Sequence, residues 1–290
     1  IEDKNGWHGK ALSKKELEKA LKLIPEPKMP EIKIRLPVSN LLRINKEVKK
    51  SNLQLTKYKS SELIATRAAY GNALANLAKS DSNVLAIDGE VSNSTFSEKV
   101  KEKTPMQFIE AYIAEQNMIG MALGLSKKGF NVFASTFASF LTRAHDQIRM
   151  TALSNPNFTI CGSHSGVSIG EDGASQMGLE DIALFRSVPK SIIFYPSDAI
   201  STEKLVHLAA NTRGLKYIRT TRPKTQVIYS DKESFALGDF KIVKQSKEDK
   251  VVLIGSGITL HESLKAHEML KQKKINSAVI DLYCIKPLDI

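Results

Sequence analysis

From Ser61 onward the apolar positions alternate between two spacings. Ile64, Ala68, Leu74 and Leu77 fall on one helical face, which predicts a helix from Ser61, its capping residue, to about Ser80. VLAID (84–88) predicts a strand, and a short helix follows near 96–103. The stretch FIEAYIAEQNMIGMALGLS (108–126) opens as a buried strand through Phe108, Ile109, Ala111 and Ile113. It continues from about 115 as a helix with Met118, Ile119, Ala122 and Leu123 on one face. The alternation goes on with a strand NVFAS (131–135), a helix over about 138–154 and a strand FTICGSH (158–164). After a glycine-rich loop come a helix near 179–187, a strand SIIFYP (191–196), a helix near 199–212 and a strand KYIRT (216–220). Residues 222–248 break the rhythm. A second βαβ then opens with VVLIGSG (251–257), a helix over 259–273 and AVIDLYCI (278–285). Strands without in/out alternation, separated by helices, predict an α/β fold with a parallel sheet covered on both faces.

Composition narrows this without redirecting it. With 42% apolar and 25% charged residues in 290, the chain reads as globular, with room for one large or two medium cores. Its apolar runs are broken by Lys, Glu or Gln well short of a membrane span. The net charge of +11 raises a nucleic-acid reading. However, much of the excess lies in 10–59 without interleaved aromatics, and prolines crowd 26–39, so 24–58 is expected to be a solvated linker. An anionic substrate such as a sugar phosphate would still benefit from the field. The start IEDKNGWHGK has no initiator Met and no signal core, and the end IKPLDI stops abruptly; both are expected to be cuts within a longer polypeptide. Cys161 and Cys284 lack ligand spacing and are expected to be buried thiols in a reducing cytosol.

Several stretches carry candidate chemistry. GSG (255–257) follows a strand, but Leu260 stands where a dinucleotide loop has its third glycine, so a tight strand-to-helix turn is the better reading. The chain has neither a P-loop nor a G-x-S-x-G elbow. CGSHSGVSIGEDGASQMGLED (161–181) is punctuated by His164, Asp172 and Gln176 and leaves the carboxyl end of a predicted strand, where open α/β sheets bind ligands. Phe137 and Phe140 are expected one helical turn apart, as core or as a wall for a flat heteroaromatic ligand. Glu115 sits at a strand–helix junction between apolar neighbours. From its position alone, a carboxylate capping the helix amides is favoured over a catalytic one.

Taken together, YIAEQNM (112–118), STFASFLTRAHDQIR (135–149), GSHSGVSIGEDGASQM (162–177), FRSVPKSIIFYPSD (185–198) and IRTTRP (218–223) resemble the transketolase family. The likeness is close over about 60–290, and WHGK (7–10) adds a further point. The resemblance implies an enzyme using thiamine diphosphate with Mg2+ or another divalent cation. Such an enzyme moves a two-carbon ketol unit between sugar phosphates in the pentose phosphate pathway, as a cytoplasmic homodimer with the site between subunits. It implies three regions: 1–58 as the tail of a diphosphate-binding domain with its linker, 59–223 as the pyrimidine-binding domain, and 224–290 as a connector and the start of a carboxy-terminal domain. It assigns Glu115 to the pyrimidine nitrogen N1′, favouring the imino tautomer that generates the ylide. Phe137 and Phe140 become the stacking pocket, and His8 a group near the diphosphate and the reacting oxygen. Arg67, Ser94 and Arg222 become a phosphate clamp, with His164, Asp172 and Gln176 as further substrate contacts.

Two departures qualify the likeness. Glu90-Val91 stands where the family often has Asp-Thr, which puts a cofactor contact there in doubt. The family's metal signature, GDG followed later by Asn, is missing, and Asp88-Gly89-Glu90 is in the wrong domain, so metal ligands are expected upstream of residue 1 and none within this segment. The segment is therefore expected to be inert alone. The alternatives are another thiamine enzyme, either deoxyxylulose-phosphate synthase or a 2-oxo acid dehydrogenase beta subunit, and a non-catalytic paralogue. No nucleic-acid or membrane partner is expected.

Overall fold

The structure is a computed structural model that describes residues 11–25 and 54–288. The chain divides into two compact units, 1–43 and 44–290. In the first, α1 (Lys14–Leu23) is started by a capping box: the Ser13 hydroxyl accepts from the Glu16 amide, and the Glu16 carboxylate accepts from the Ser13 amide. That S-x-x-E pattern was readable in the sequence.

The second unit runs β1 (Leu63–Ala65), α2 (Thr66–Ser80), β2 (Val84–Asp88), α3 (Ser92–Thr95), α4 (Glu98–Lys103), β3 (Phe108–Glu110), α5 (Glu115–Lys127) and β4 (Asn131–Phe137). It continues with α6 (His145–Ala152), β5 (Phe158–Ser163), α7 (Asp181–Ser187), β6 (Ile192–Phe194), α8 (Ala199–Asn211), β7 (Leu215–Arg219), β8 (Lys224–Gln226) and β9 (Lys241–Lys244). β10 (Val251–Gly255), α9 (Ile258–Gln272), β11 (Ser277–Asp281) and β12 (Cys284–Lys286) close it.

Among the described residues the main sheet has the order β12-β6-β7-β5-β4-β2-β3. Its strands are parallel except β12, which pairs antiparallel with β6. Both faces are buried, as continuous apolar strands require. On one face Tyr70, Leu74 and Leu77 of α2 and Leu205 and Val206 of α8 pack over Val84, Ala86 and Phe133. On the other, Met118 and Ile119 of α5, Ile148 of α6 and Phe185 of α7 pack over Leu85, Ile87 and Ile160. Successive residues of β2 thus serve opposite cores. The second sheet, β10-β11-β9, carries the other βαβ. Cys161 and Cys284 are both buried. No helix among the described residues is long and apolar enough to cross a membrane.

Four expectations are corrected. Ser61 does not cap α2: it has φ 65°, and the next residues form β1 against β8, so the helix begins at Thr66. The strand at 108 ends at Glu110, because Tyr112 turns with φ 55° and leaves Tyr112 and Ile113 exposed. The helix expected over 138–154 is shorter. β4 runs to Phe137 because it stays paired with β5 through Ser163; a 3-10 turn over Phe140–Ala144 intervenes, and α6 starts at His145. The single strand expected at 278–285 is two, β11 in the small sheet and β12 on the edge of the large one. The GSG turn is a packing device as expected: a Cβ on Gly257, at φ 54°, would strike the Tyr195 ring, and one on Gly255 would strike the Leu260 backbone.

Two features generate predictions. Gly71 of α2 lets the chain at Phe96 lie directly on the helix, since a Cβ there would stand 2.4 Å from the Phe96 carbonyl oxygen. Helix propensity favours Gly71→Ala by about 1 kcal/mol, but the clash with backbone outweighs it. We expect a net loss of about 1–3 kcal/mol in urea unfolding. Lys216 of β7 is 1% exposed and donates to Asn157 Oδ1 at 3.1 Å and the Thr212 carbonyl at 2.9 Å. Burial pushes its ammonium down to about 7. Below that pH both folded and unfolded states hold the proton, and the burial cost is felt in full. Above it the folded state has released a proton that the unfolded state keeps up to about 10.4, so stability rises with pH in that window. Relative to Lys216→Met, the wild type is expected to gain on the order of 1 kcal/mol per pH unit between about pH 7 and 9.5 in denaturant titrations.

Candidate active site

The strand order reverses at β2: β3 lies on one side of it and β4 on the other, so the connections after β2 and β4 diverge and open a crevice at the carboxyl edge. Almost every candidate stands at that edge. Ser94 follows β2, Glu115 follows β3, Phe137 ends β4 and Phe140 follows it, His164, Asp172 and Gln176 follow β5, and Arg222 follows β7. Arg67 comes instead from the first turn of α2. His8 lies outside the described residues.

Glu115 is the first residue of α5 and is 2% exposed. Its Oε2 accepts from Arg143 Nη1 at 3.1 Å, while the Arg143 side chain is 57% exposed. The carboxylate therefore faces both the positive end of a helix and a guanidinium. Sequence reading missed Arg143. Its one signal was its position a turn after Phe140, on the same 3-10 segment.

Phe137 and Phe140 do meet, but from the end of β4 and a 3-10 turn and not from one helix. The Phe137 and Phe140 rings stack with centroids 5.1 Å apart and planes at 19°. Phe137 also stacks on His164 at 3.9 Å. Phe137 is buried and Phe140 is the more exposed member. His164 has φ 55°, a left-handed conformation that swings its ring back over Phe137. Its Nδ1 is 3.0 Å from the Ser163 hydroxyl. Burial, reinforced by the charge of Arg67, pushes the imidazole down to about 4, so it is neutral at physiological pH.

The charged pole combines Arg67 and Arg222. Arg67 Nη1 donates to the Ser94 carbonyl at 2.8 Å, and its guanidinium lies over the Phe96 ring. Its Nε is buried without a partner in the structure. The loop that presents Ser94 is tied by Asp88, whose carboxylate accepts from the Val91 amide and from the Thr95 and Ser97 hydroxyls, each at 2.7 Å. Burial raises that acid to about 6, and its oxygens are occupied structurally. Glu90, at φ 62°, is exposed and donates its amide to Glu110. Arg222 donates through Nη1 to the Ile169 carbonyl and through Nη2 to Glu171, and Asp172 stands 3.6 Å away. Gln176 closes a 3-10 turn, Ala174–Gln176, half-buried. The base of this long loop is pinned by Arg219, buried against Asp181 at 2.7 Å and donating to the Gly178 carbonyl.

A buried acid and a stacked ring pair at the same sheet edge suit a flat heterocycle with a ring nitrogen, and an unpartnered guanidinium N–H suits an anion. No group of three or more metal-ligating side chains occurs among the described residues.

The family model for the transketolase pyrimidine-binding domain matches residues 62–227, and that for the transketolase C-terminal domain matches 240–290. Over the whole chain the sequence is 51% identical to mouse transketolase-like protein 2 and 50% identical to human transketolase. It spans about half the length of these relatives, 46% and 47% respectively. A solved chain described as split gene transketolase, inactive beta4 tetramer, is similar with a TM-score of 0.71 and 36% identity, over 78% of this chain and 73% of that one. The chain belongs to the transketolase family.

Proposed function

We propose that this chain carries the pyrimidine-binding half of a transketolase, transferring a two-carbon ketol unit from a ketose phosphate to an aldose phosphate in the cytosol. The observation that carries the reading is the buried Glu115 carboxylate, paired with Arg143 of the same 3-10 segment that Phe140 begins. Thiamine diphosphate bound there would supply a thiazolium carbon that adds to the donor carbonyl and holds the electron pair of the broken C–C bond. Glu115 would accept the proton shared with ring nitrogen N1′, with Arg143 fixing the carboxylate's orientation. The more exposed Phe140 face would orient the ring, and neutral His164 would offer a hydrogen bond without adding charge. Arg67 and Arg222, with Ser94, would hold the substrate phosphate, and Asp172 and Gln176 would face its hydroxyls.

The residues before position 11 lie outside the described part, so the roles of His8 near the diphosphate and of metal ligands upstream rest on the resemblance. A homodimer with the site between subunits is in keeping with the exposed Tyr112 and Ile113 just before Glu115, at 67% and 69% exposure. The similar split-gene chain, described as an inactive tetramer, supports the expectation that this half alone is inert. Two arginines beside His164 favour a sugar phosphate over the 2-oxo acids of related thiamine enzymes. The similarity to transketolase-like protein 2 keeps a non-catalytic paralogue as the second reading.

The test is Glu115→Gln in the full-length protein. Ketol transfer from xylulose 5-phosphate to ribose 5-phosphate is expected to fall about 10²–10⁴-fold, and near-wild-type transfer would remove Glu115 from the chemistry. Turnover of pyruvate in place of the sugar phosphates would shift the assignment to a related thiamine enzyme. If circular dichroism detects no cofactor binding by the intact protein at saturating metal, the paralogue reading replaces the catalytic one.

A further inference from the structure

The two arginines of the charged pole are in different states. Arg67 has a buried Nε with no partner in the structure, whereas Arg222 is already engaged by an anion of its own chain. That anion is Glu171, at the tip of the loop after β5. Its side chain is 78% exposed and touches Arg222 Nη2, while Asp172 approaches Nη1 at 3.6 Å. The guanidinium holds the Glu171 carboxyl down to about 2, so the carboxylate is charged throughout the neutral range.

We propose that Glu171 is a gate on the phosphate end of the site: it occupies Arg222 as an internal anion until a substrate phosphate displaces it. This rests on the reading of Arg67 and Arg222 as a phosphate clamp. Three local features suit the exchange. Gly170 at φ 82° and Gly173 at φ 81° bracket Glu171 and Asp172 in one turn, so the tip can swing about two residues free of Cβ strain. The loop base does not move with it, since the Gly166 amide donates to the Gly178 carbonyl and Arg219 holds the same oxygen. Arg222 also keeps its place when Glu171 leaves, because Nη1 donates separately to the Ile169 carbonyl. The departing carboxylate enters water directly, which makes it displaceable by a doubly charged phosphate and not by a neutral sugar hydroxyl.

The consequence is inverted relative to an ordinary ligand contact, because removing Glu171 should tighten anion binding. An exposed pair of this kind is worth a factor of about two to five. The experiment is isothermal titration of inorganic phosphate into the full-length protein without cofactor, comparing wild type, Glu171→Gln, Glu171→Ser and Arg222→Gln. Glu171→Ser is included because glutamine retains a carbonyl that can still accept from Arg222. We expect two- to five-fold tighter phosphate binding in at least the serine variant, shrinking as salt is raised from about 0.05 to 0.5 M, and weaker binding in Arg222→Gln. Unchanged or weaker binding in both Glu171 variants, with Arg222→Gln weakened, overturns the gate and leaves the clamp standing. If Arg222→Gln binds phosphate like the wild type, or if no variant binds it, the clamp reading falls and takes the gate with it.

Discussion

The register of β4 between β2 and β5 is the constraint on which the site depends. Asp88 of β2 lies level with Ser135 of β4, and Phe137 lies level with Ser163 of β5. That alignment brings the last ring of β4 under His164, the first residue beyond β5, at 3.9 Å. A slip of one residue would send Phe137 to the opposite face and detach the aromatic wall from the histidine. The register is secured by core packing on both sheet faces. It is tightened where glycine lets chains touch: at Gly162 a Cβ would meet the Tyr217 hydroxyl at 2.2 Å.

The loop after β5 is divided mechanically along the same lines. Its root is fastened by buried groups: Tyr217 donates to Asp181 at 2.6 Å, Arg219 pairs with the same carboxylate, and the Ser165 amide donates to the Thr220 carbonyl. Such partners are costly to break because an uncompensated buried charge would remain. Its tip, by contrast, is attached to the sheet through Arg222 and two half-exposed or exposed carboxylates. A fixed root with a loosely held tip is the mechanical requirement for admitting a ligand without disturbing His164.

Period and composition revealed the sheet because its strands are apolar throughout and each helix buries a clear stripe, and the glycine-rich run marked the long loop after β5. The errors fall where tertiary contacts override local pattern. Ser61 and its neighbours look like a helix start, yet β8 is available to pair with them, so they extend. STFASFL has helical spacing, yet β5 holds Phe137 in the sheet and leaves Phe140 to begin a 3-10 turn. Arg143 and Glu171 were not legible as site residues. Each acts through a partner 28 or 51 positions away, and no periodicity connects such pairs.

The charge around Arg67 and Arg222 sets the state of the groups beside them. His164 stays neutral because it is desolvated beside Arg67, so adding a third positive charge would raise the cost of keeping Arg67 and Arg222 close. Arg67 is itself lowered, first by burial and then by Arg222. Two guanidiniums in this setting need an anion, and the chain supplies one in Glu171 when no other is present. After β3 the polarity is reversed, with the buried Glu115 acid met by the exposed Arg143. An anion would answer the first set of charges, and a ring nitrogen that shares a proton would answer the second.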